Sequence, residues 1–217
     1  MAEQSGGMRM HVYRSEELSK AEQYKFLSGS IIPRPIAWIM TKDSETGNLN
    51  LAPFSFFSGV SNEEPLLSLA ILRVQGEMKD TARNLLNQKE GVIHLVEEHL
   101  LEKMNETSRR LAPEESELSL IDVTLVPSET VSLPGILEAN LRLETRLHNH
   151  IPITSGDSEA VVTDLFILKV TAFQFASEIF DEKEKHFKLD KLKAVGRLSG
   201  PNYAVSFDEL VELERPQ

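Results

Sequence analysis

Ile31-Ile32-Pro33-Arg34-Pro35-Ile36-Ala37-Trp38-Ile39 and Asn50-Leu51-Ala52-Pro53-Phe54-Ser55-Phe56-Phe57 are two apolar runs on either side of Asp43-Ser44-Glu45-Thr46-Gly47-Asn48. The middle piece is dense in turn formers, so the runs read as the arms of a β-hairpin. Neither arm is a plain core strand. Arg34 is wedged between two prolines at the apolar entrance, and the proline that follows it holds its backbone extended. Pro53 lies inside the second arm and gives up a ladder hydrogen bond, which suits a sheet edge. Small side chains and free backbone groups on such an edge suit a flat ligand.

Outward from the hairpin, strands dominate. Residues 15–27 have helical periodicity, with Ser15 as cap and Gly29 as terminator. Strands are expected at 36–40, 52–60, 66–71, 91–96, 121–126, 141–147 and 161–172, the last running on towards Phe175. Asp80 can cap a helix over 81–88, and 98–107 reads as a second helix with Leu100, Leu101 and Met104 on one side. Residues 111–118 form a charged loop, and 188–192 a short helical turn. No regular βαβ alternation appears. The expected fold class is therefore mainly β with peripheral helices, an antiparallel barrel over a doubly wound sheet. The whole chain, 1–217, is expected to be one domain with its core at about 28–205.

Composition excludes several classes. There is no cysteine, hence no disulfide, thiolate chemistry, iron–sulfur cluster or cysteine zinc site. The net charge of −11 argues against nucleic acid or an anionic membrane as the main partner. No apolar run is long enough for a membrane helix, and residues 1–10 lack an apolar signal core, so a cytoplasmic protein is expected. His148 and His150 share a strand face, but no third ligand has specific spacing; Asp157 and Glu159 are the nearest options, and a solvated pair is the simpler reading. His186, Glu97-Glu98 and Glu114-Glu115 also read as solvated. Neither dinucleotide- nor nucleotide-binding glycine fingerprints occur.

Four motifs in order resemble the flavin reductase-like family, flavoredoxin-like members included. They are Pro33 to Trp38, Asn50 to Phe57, Lys79-Asp80-Thr81-Ala82-Arg83-Asn84, and Val195-Gly196-Arg197-Leu198-Ser199-Gly200-Pro201-Asn202-Tyr203. The departure is Ser199, where a second glycine is common. The resemblance spans roughly 28–203 and implies an FMN-binding split barrel, a homodimer, and transient NADH or NADPH beside the flavin.

Under that resemblance each part of FMN has candidates. The phosphate would meet Lys79, Asp80 and Thr81 at a helix start, through charge, hydroxyl and backbone N–H groups; the alternative is a plain helix cap. Arg34 would reach phosphate or ring, or form a structural ion pair. The ring's polar edge would meet Asn50, Ala52, Pro53, Phe54 and Ser55, with Trp38 bordering it or lying in the core. By alternation Phe54 and Phe56 share a face and Phe57 takes the other. Arg197 and Tyr203 would close over the flavin, or serve an ordinary turn. The reaction would be hydride transfer from NAD(P)H to flavin, with no acid–base residue named and the electron acceptor unknown. The alternatives are an FMN-holding electron carrier and a flavin-binding module without turnover.

Overall fold

The computed structural model describes residues 10–112, 115–156, 158–205, 211 and 213. Two positions named above, Glu114 and Asp157, lie outside them. Strand residues outnumber helical ones, 39% to 18%, so the helices are accessories to the sheet. The strands are β1 (Ala37–Lys42), β2 (Leu49–Phe54), β3 (Phe57–Gly59), β4 (Leu66–Leu72), β5 (Glu90–Leu95), β6 (Leu125–Val126), β7 (Gly135–Ile136), β8 (Leu141–Thr154), β9 (Val161–Phe175), β10 (Phe180–Asp181), β11 (His186–Phe187), β12 (Val195–Arg197) and β13 (Tyr203–Val205). The α-helices are α1 (Lys20–Ser30), α2 (Asp80–Gln88) and α3 (Leu101–Glu106).

Seven strands form the main sheet in the order β2-β1-β5-β8-β9-β4-β3, each pair antiparallel. The two end strands, β2 and β3, are separated in the chain only by Ser55 and Phe56. Two residues cannot cross the width of a flat sheet of this order, because neighbouring strands are about 4.8 Å apart. The sheet must curl until its ends nearly meet, and the amide of Ala70 on β4 donates to the Phe56 carbonyl at 2.9 Å beside the seam. The result is a split barrel.

β1 is covered on both faces. Ala37 and Ile39 join Phe54, Leu69, Ile71, Ala82, Leu85, Ile93, Phe166 and Leu168 in one buried cluster. These residues come from strands far apart in the sheet order, so the cluster is the barrel interior, with α2 packed on it. Trp38 and Met40 point the other way, towards Leu100 and Met104 of the helical segment after β5 and towards Leu133, Ile136 and Val195.

The hairpin turn forms as its composition dictates. The Asp43 carboxylate accepts the amides of Glu45 and Thr46 at 2.9 and 2.7 Å, and Gly47 takes φ +77°. Other boundaries shift. The first helix starts later than expected, because Ser19 forms a capping box with Glu22 while Ser15 opens only a short 3-10 turn. Gly29 is inside that helix and does not end it. The expected strand over 52–60 is two strands, broken at the seam. Phe57 therefore packs on the same interior cluster as Phe54, while Phe56 turns to Tyr24 and Arg34, contrary to simple alternation. Lys79 occupies the N-cap of α2 and Asp80 is its first residue. The second helix is a 3-10 turn, Glu98–Leu100, followed by the short α3. The strand expected at 121–126 is only β6, and 188–192 is a hydrogen-bonded turn.

Among the described residues no helix is long and apolar enough to cross a membrane. His148 falls at a bulge between Leu147 and Asn149, which breaks the shared face with His150. His150 is not a solvated residue: it stacks on Phe166 at 4.9 Å and sits 3.0 Å from Asp164. Glu97 is likewise buried, not solvated.

Candidate functional site

β2 is an end strand, so Pro53 costs the sheet little there. The strand's outward side near the seam lines three adjoining hollows of about 420, 240 and 150 Å³, all sharing Pro53 and Phe54. They form one cleft that follows Ala52 to Ser55. Its far wall on one side is the turn at the end of β4, Val74 to Glu77, and on the other the segment 107–111.

One end of the cleft gathers three basic side chains, with Glu77, Asp80 and Glu117 also in its lining. It contains Lys79, Arg109, Arg110 and the start of α2, which no side chain caps. The Lys79 ammonium lies 5.4 Å from the centre of the Phe54 ring. The cleft walls desolvate Lys79 although its side chain still reaches solvent, and Arg110 adds like charge, so its pKa is lowered from the ordinary lysine value. The opposite charge of a bound anion would offset both effects. Arg109 is paired with Glu106 at 2.5 Å on the exposed surface. Two expected phosphate contacts point elsewhere. Asp80 is bonded to Arg83. Thr81 is 2% exposed and donates its hydroxyl proton to Asn50 Oδ1 at 2.7 Å.

Asn50 is the hub of a network under this end. Its Oδ1 also accepts from Thr41 Oγ1 at 3.2 Å, and its Nδ2 donates to both Glu117 oxygens at 2.9 Å. Its amide group is thus spent within the protein and not free for a ligand. Glu117, at the start of a 3-10 turn, also accepts the Leu51 amide at 3.1 Å. Burial pushes the Glu117 carboxyl up from its ordinary value; the Leu51 and Asn50 bonds oppose that, and nearby Asp80 adds to it.

The other end of the cleft is lined by Tyr24, Arg34, Ser55, Arg197 and Tyr203. Arg34 is 6% exposed and makes no ion pair among the described residues. Its guanidinium donates to the carbonyls of Ser28, Ile31 and Leu198, and at 3.4 Å to Ser55 Oγ, while its backbone exchanges bonds of 2.9 and 2.8 Å with Arg197. It ties α1, β12 and the seam together, and four of its five guanidinium donors are spent in doing so. Trp38, expected at the ring, is fully enclosed; its indole N–H donates to Thr107 Oγ1 at 2.8 Å. The Arg197 guanidinium lies 4.4 Å over the Tyr203 ring and donates to the Gly200 carbonyl at 2.7 Å. Gly200 needs its φ of +61°, and Gly196 admits Pro33, whose Cβ would stand 2.6 Å from any added Cβ. No group of three His, Asp or Glu able to hold a metal occurs among the described residues.

Of the expected residues, the structure brings Arg34, Ala52, Pro53, Phe54, Ser55, Lys79, Asp80, Arg197 and Tyr203 to the cleft surface. It sets Trp38 and Thr81 beneath it, and Asn50 at its floor with bonds turned inward. Arg109, Arg110 and Glu117 were missed. They stand next to or inside a charged stretch that looks like any solvated loop.

Residues 28–189 match the family model described as flavin reductase like domain. The uncharacterized protein YwrF of Bacillus subtilis is 41% identical over 95% of this chain and all of its own length. The crystal structure of nitrilotriacetate monooxygenase component B from Bacillus cereus superposes with a TM-score of 0.89 at 38% identity, covering 95% of this chain and 100% of that one. The 2-nitrobenzoate 2-nitroreductase NbaA of Pseudomonas fluorescens gives 0.83 at 28% identity, covering 95% and 96%. The seam, the cleft and the matched span agree, and the chain belongs to the flavin reductase like domain family.

Proposed function

We propose that the cleft holds FMN and that the chain is an NAD(P)H-dependent flavin reductase. The observation that carries the reading is the polarity of the cleft. One end offers an uncapped helix start with Lys79, Arg109 and Arg110; the other runs along a proline-broken strand edge of small side chains and backbone groups. The first suits a phosphate and the second the edge of a flat heterocycle. FMN, when bound, supplies the hydride-accepting chemistry. The chain's own residues bind and orient: Lys79 and the α2 amides hold the phosphate, and Ala52 to Ser55 fix the ring against the seam. Tyr24, Arg197 and Tyr203 flank the ring end and leave the nicotinamide room to dock there transiently. A separate dinucleotide domain is not needed.

The likeness to a component of a monooxygenase supports a reductase whose reduced flavin serves a second protein, the acceptor. A second reading is favoured by the likeness to a nitroreductase: reduction of a small organic acceptor directly on the bound flavin. The exposed apolar group Tyr24, Leu27, Ile31 and Ile32 next to the ring end supports a homodimer that covers it.

NADH and NADPH oxidation by the FMN-loaded protein, followed with free flavin, with 2-nitrobenzoate and with neither, separates the readings. Turnover only with free flavin supports the reductase. Turnover with the nitro compound supports the second reading, and none with either leaves an electron carrier or a binding module. The FMN assignment makes its own prediction. Lys79→Ala should weaken FMN by about 2 kcal/mol, the scale for a lost charge-assisted bond, and leave riboflavin nearly untouched. Fluorescence titration with both flavins measures this, and equal losses for both would remove Lys79 from the phosphate.

A further inference from the structure

The segment that brings Arg109 and Arg110 over the cleft is fastened at both ends to buried side chains. At its start, Thr107 is 1% exposed, accepts the Trp38 indole N–H at 2.8 Å and donates to the Met104 carbonyl at 2.8 Å. At its end, Ser116 Oγ donates to the Leu49 carbonyl at 2.5 Å, and Glu117 takes the Leu51 amide and the Asn50 side chain. β2 is an end strand, so Leu49 O and Leu51 N–H are outward groups with no neighbouring strand to pair them. Ser116 and Glu117 stand in for that strand with their side chains.

The same carboxylate governs a second distance. Asn50 Oδ1 accepts from Thr81 Oγ1 in the first turn of α2, and Asn50 Nδ2 is held by Glu117. An asparagine amide can rotate by half a turn and exchange its oxygen for its nitrogen. A carboxylate accepts only, so Glu117 permits one of the two orientations, the one that leaves oxygen facing Thr81. Glu117 thereby links β2, which carries the ring edge, to α2, which carries the anion end.

We propose that Glu117 is the positioning residue for phosphate recognition: it sets the spacing between the strand edge and the start of α2 and anchors the arginine-bearing segment over that end. This rests on the FMN reading above. A flavin without a phosphate needs the strand edge alone, so Glu117 should matter for FMN and not for riboflavin.

The test is titration of the full-length protein with FMN and with riboflavin, with urea unfolding of each variant as a check on folding. The unaltered protein should prefer FMN. Glu117→Ala should lose about tenfold in FMN affinity while riboflavin changes by less than about twofold, since the missing bonds are of the charge-assisted kind. Glu117→Gln keeps the volume but turns an amide donor towards Asn50 or Leu51; it should lose FMN preference by about fivefold and carries the test if the alanine variant does not fold. An unchanged FMN-to-riboflavin ratio in a folded variant overturns the proposal. So does an equal loss of both flavins, which would make Glu117 a support of the whole sheet. No FMN preference in the unaltered protein would instead refute the phosphate reading itself, and the proposal with it.

Discussion

Replacing Asp164 with alanine should destabilise the folded protein by about 3 kcal/mol, the low end of the range for orphaning one partner of a buried ion pair. Asp164 lies on β9 and is fully buried, with its oxygens 2.8 and 3.0 Å from Arg73 nitrogens and 3.0 Å from His150 Nε2. Burial alone would raise its pKa; the bonds from Arg73 and His150 outweigh that and hold it below the ordinary aspartate value. Arg73 keeps 18% of its side chain exposed, so water softens the loss, and for that reason the low end applies. The effect should reach the cleft. Arg73 follows β4 directly and also donates to the Gly76 carbonyl, in the turn whose Val74 and Glu77 wall the Lys79 end of the cleft. Urea unfolding measures the stability and FMN titration the spread to the site. The double variant Arg73→Met with Asp164→Leu should regain much of the stability, because it removes the stranded charge along with its partner. A single variant as stable as the unaltered protein would mean that the pair shares its charge with solvent and contributes little.

What could be read in the chain divides by range. The hairpin turn, the long strands β8 and β9 and the helix α2 follow from local rules: turn composition, alternation and the gap between Asp80 and Gly91. The first helix shows how two local signals compete. Ser15 and Ser19 are both good caps, but only Ser19 has glutamate three residues on, and that reciprocal bond decides the start. The break at Ser55 and Phe56 was not legible. The run from Ala52 to Val60 has no turn signal at Ser55-Phe56, its Ser58-Gly59 pair lying within β3, and the break arises because the closing sheet forces the chain from one end strand to the other. That long-range demand also reversed the expected faces of the phenylalanines.

The site divides in the same way. Lys79 and the strand Ala52 to Ser55 were legible as cleft residues, because a proline-broken strand edge and a helix start are local motifs. Arg34 and Trp38 stood in equally distinctive motifs but serve to hold the walls. Arginine carries five donors, and at Arg34 the carbonyls of Ser28, Ile31 and Leu198 with Ser55 Oγ take up four of them. No sequence pattern reveals which carbonyls will be left unpaired by the fold. Glu117 was hidden for a related reason. A glutamate in a charged loop is normally solvated, and only the unpaired edge of β2 gives it a buried task.

The fold should also weaken in a specific acid window because of His94. This residue is fully buried on β5, edge-on to Trp38 at 6.0 Å. Its Nδ1 is 2.9 Å from the Trp38 carbonyl and its Nε2 accepts the Ile136 amide at 3.0 Å. A carbonyl can only accept, so Nδ1 carries the proton and the ring is neutral. Burial disfavours the charged ring; the Trp38 carbonyl partly opposes this and Arg142 adds repulsion, and together they lower the pKa from 6.5 to about 4. The sign follows directly. Between pH 6.5 and about 4 the unfolded chain binds a proton that the folded chain refuses, so stability is full above that window and falls as pH drops through it. The fall amounts to about 3 kcal/mol at its limit, from roughly 1.4 kcal/mol per pH unit. Carboxylates held low, such as Asp164, lose their contribution at still lower pH, and Glu117 acts in the opposite sense, so the measurement must be a difference. Urea unfolding across pH 4 to 7 is compared with that of His94→Gln, whose amide can still donate to Trp38 and accept from Ile136 without titrating. The variant should start less stable and lose less on acidification, and the two curves should converge towards the acid end. Parallel curves would show that water reaches the ring and that its proton is accepted in the folded state.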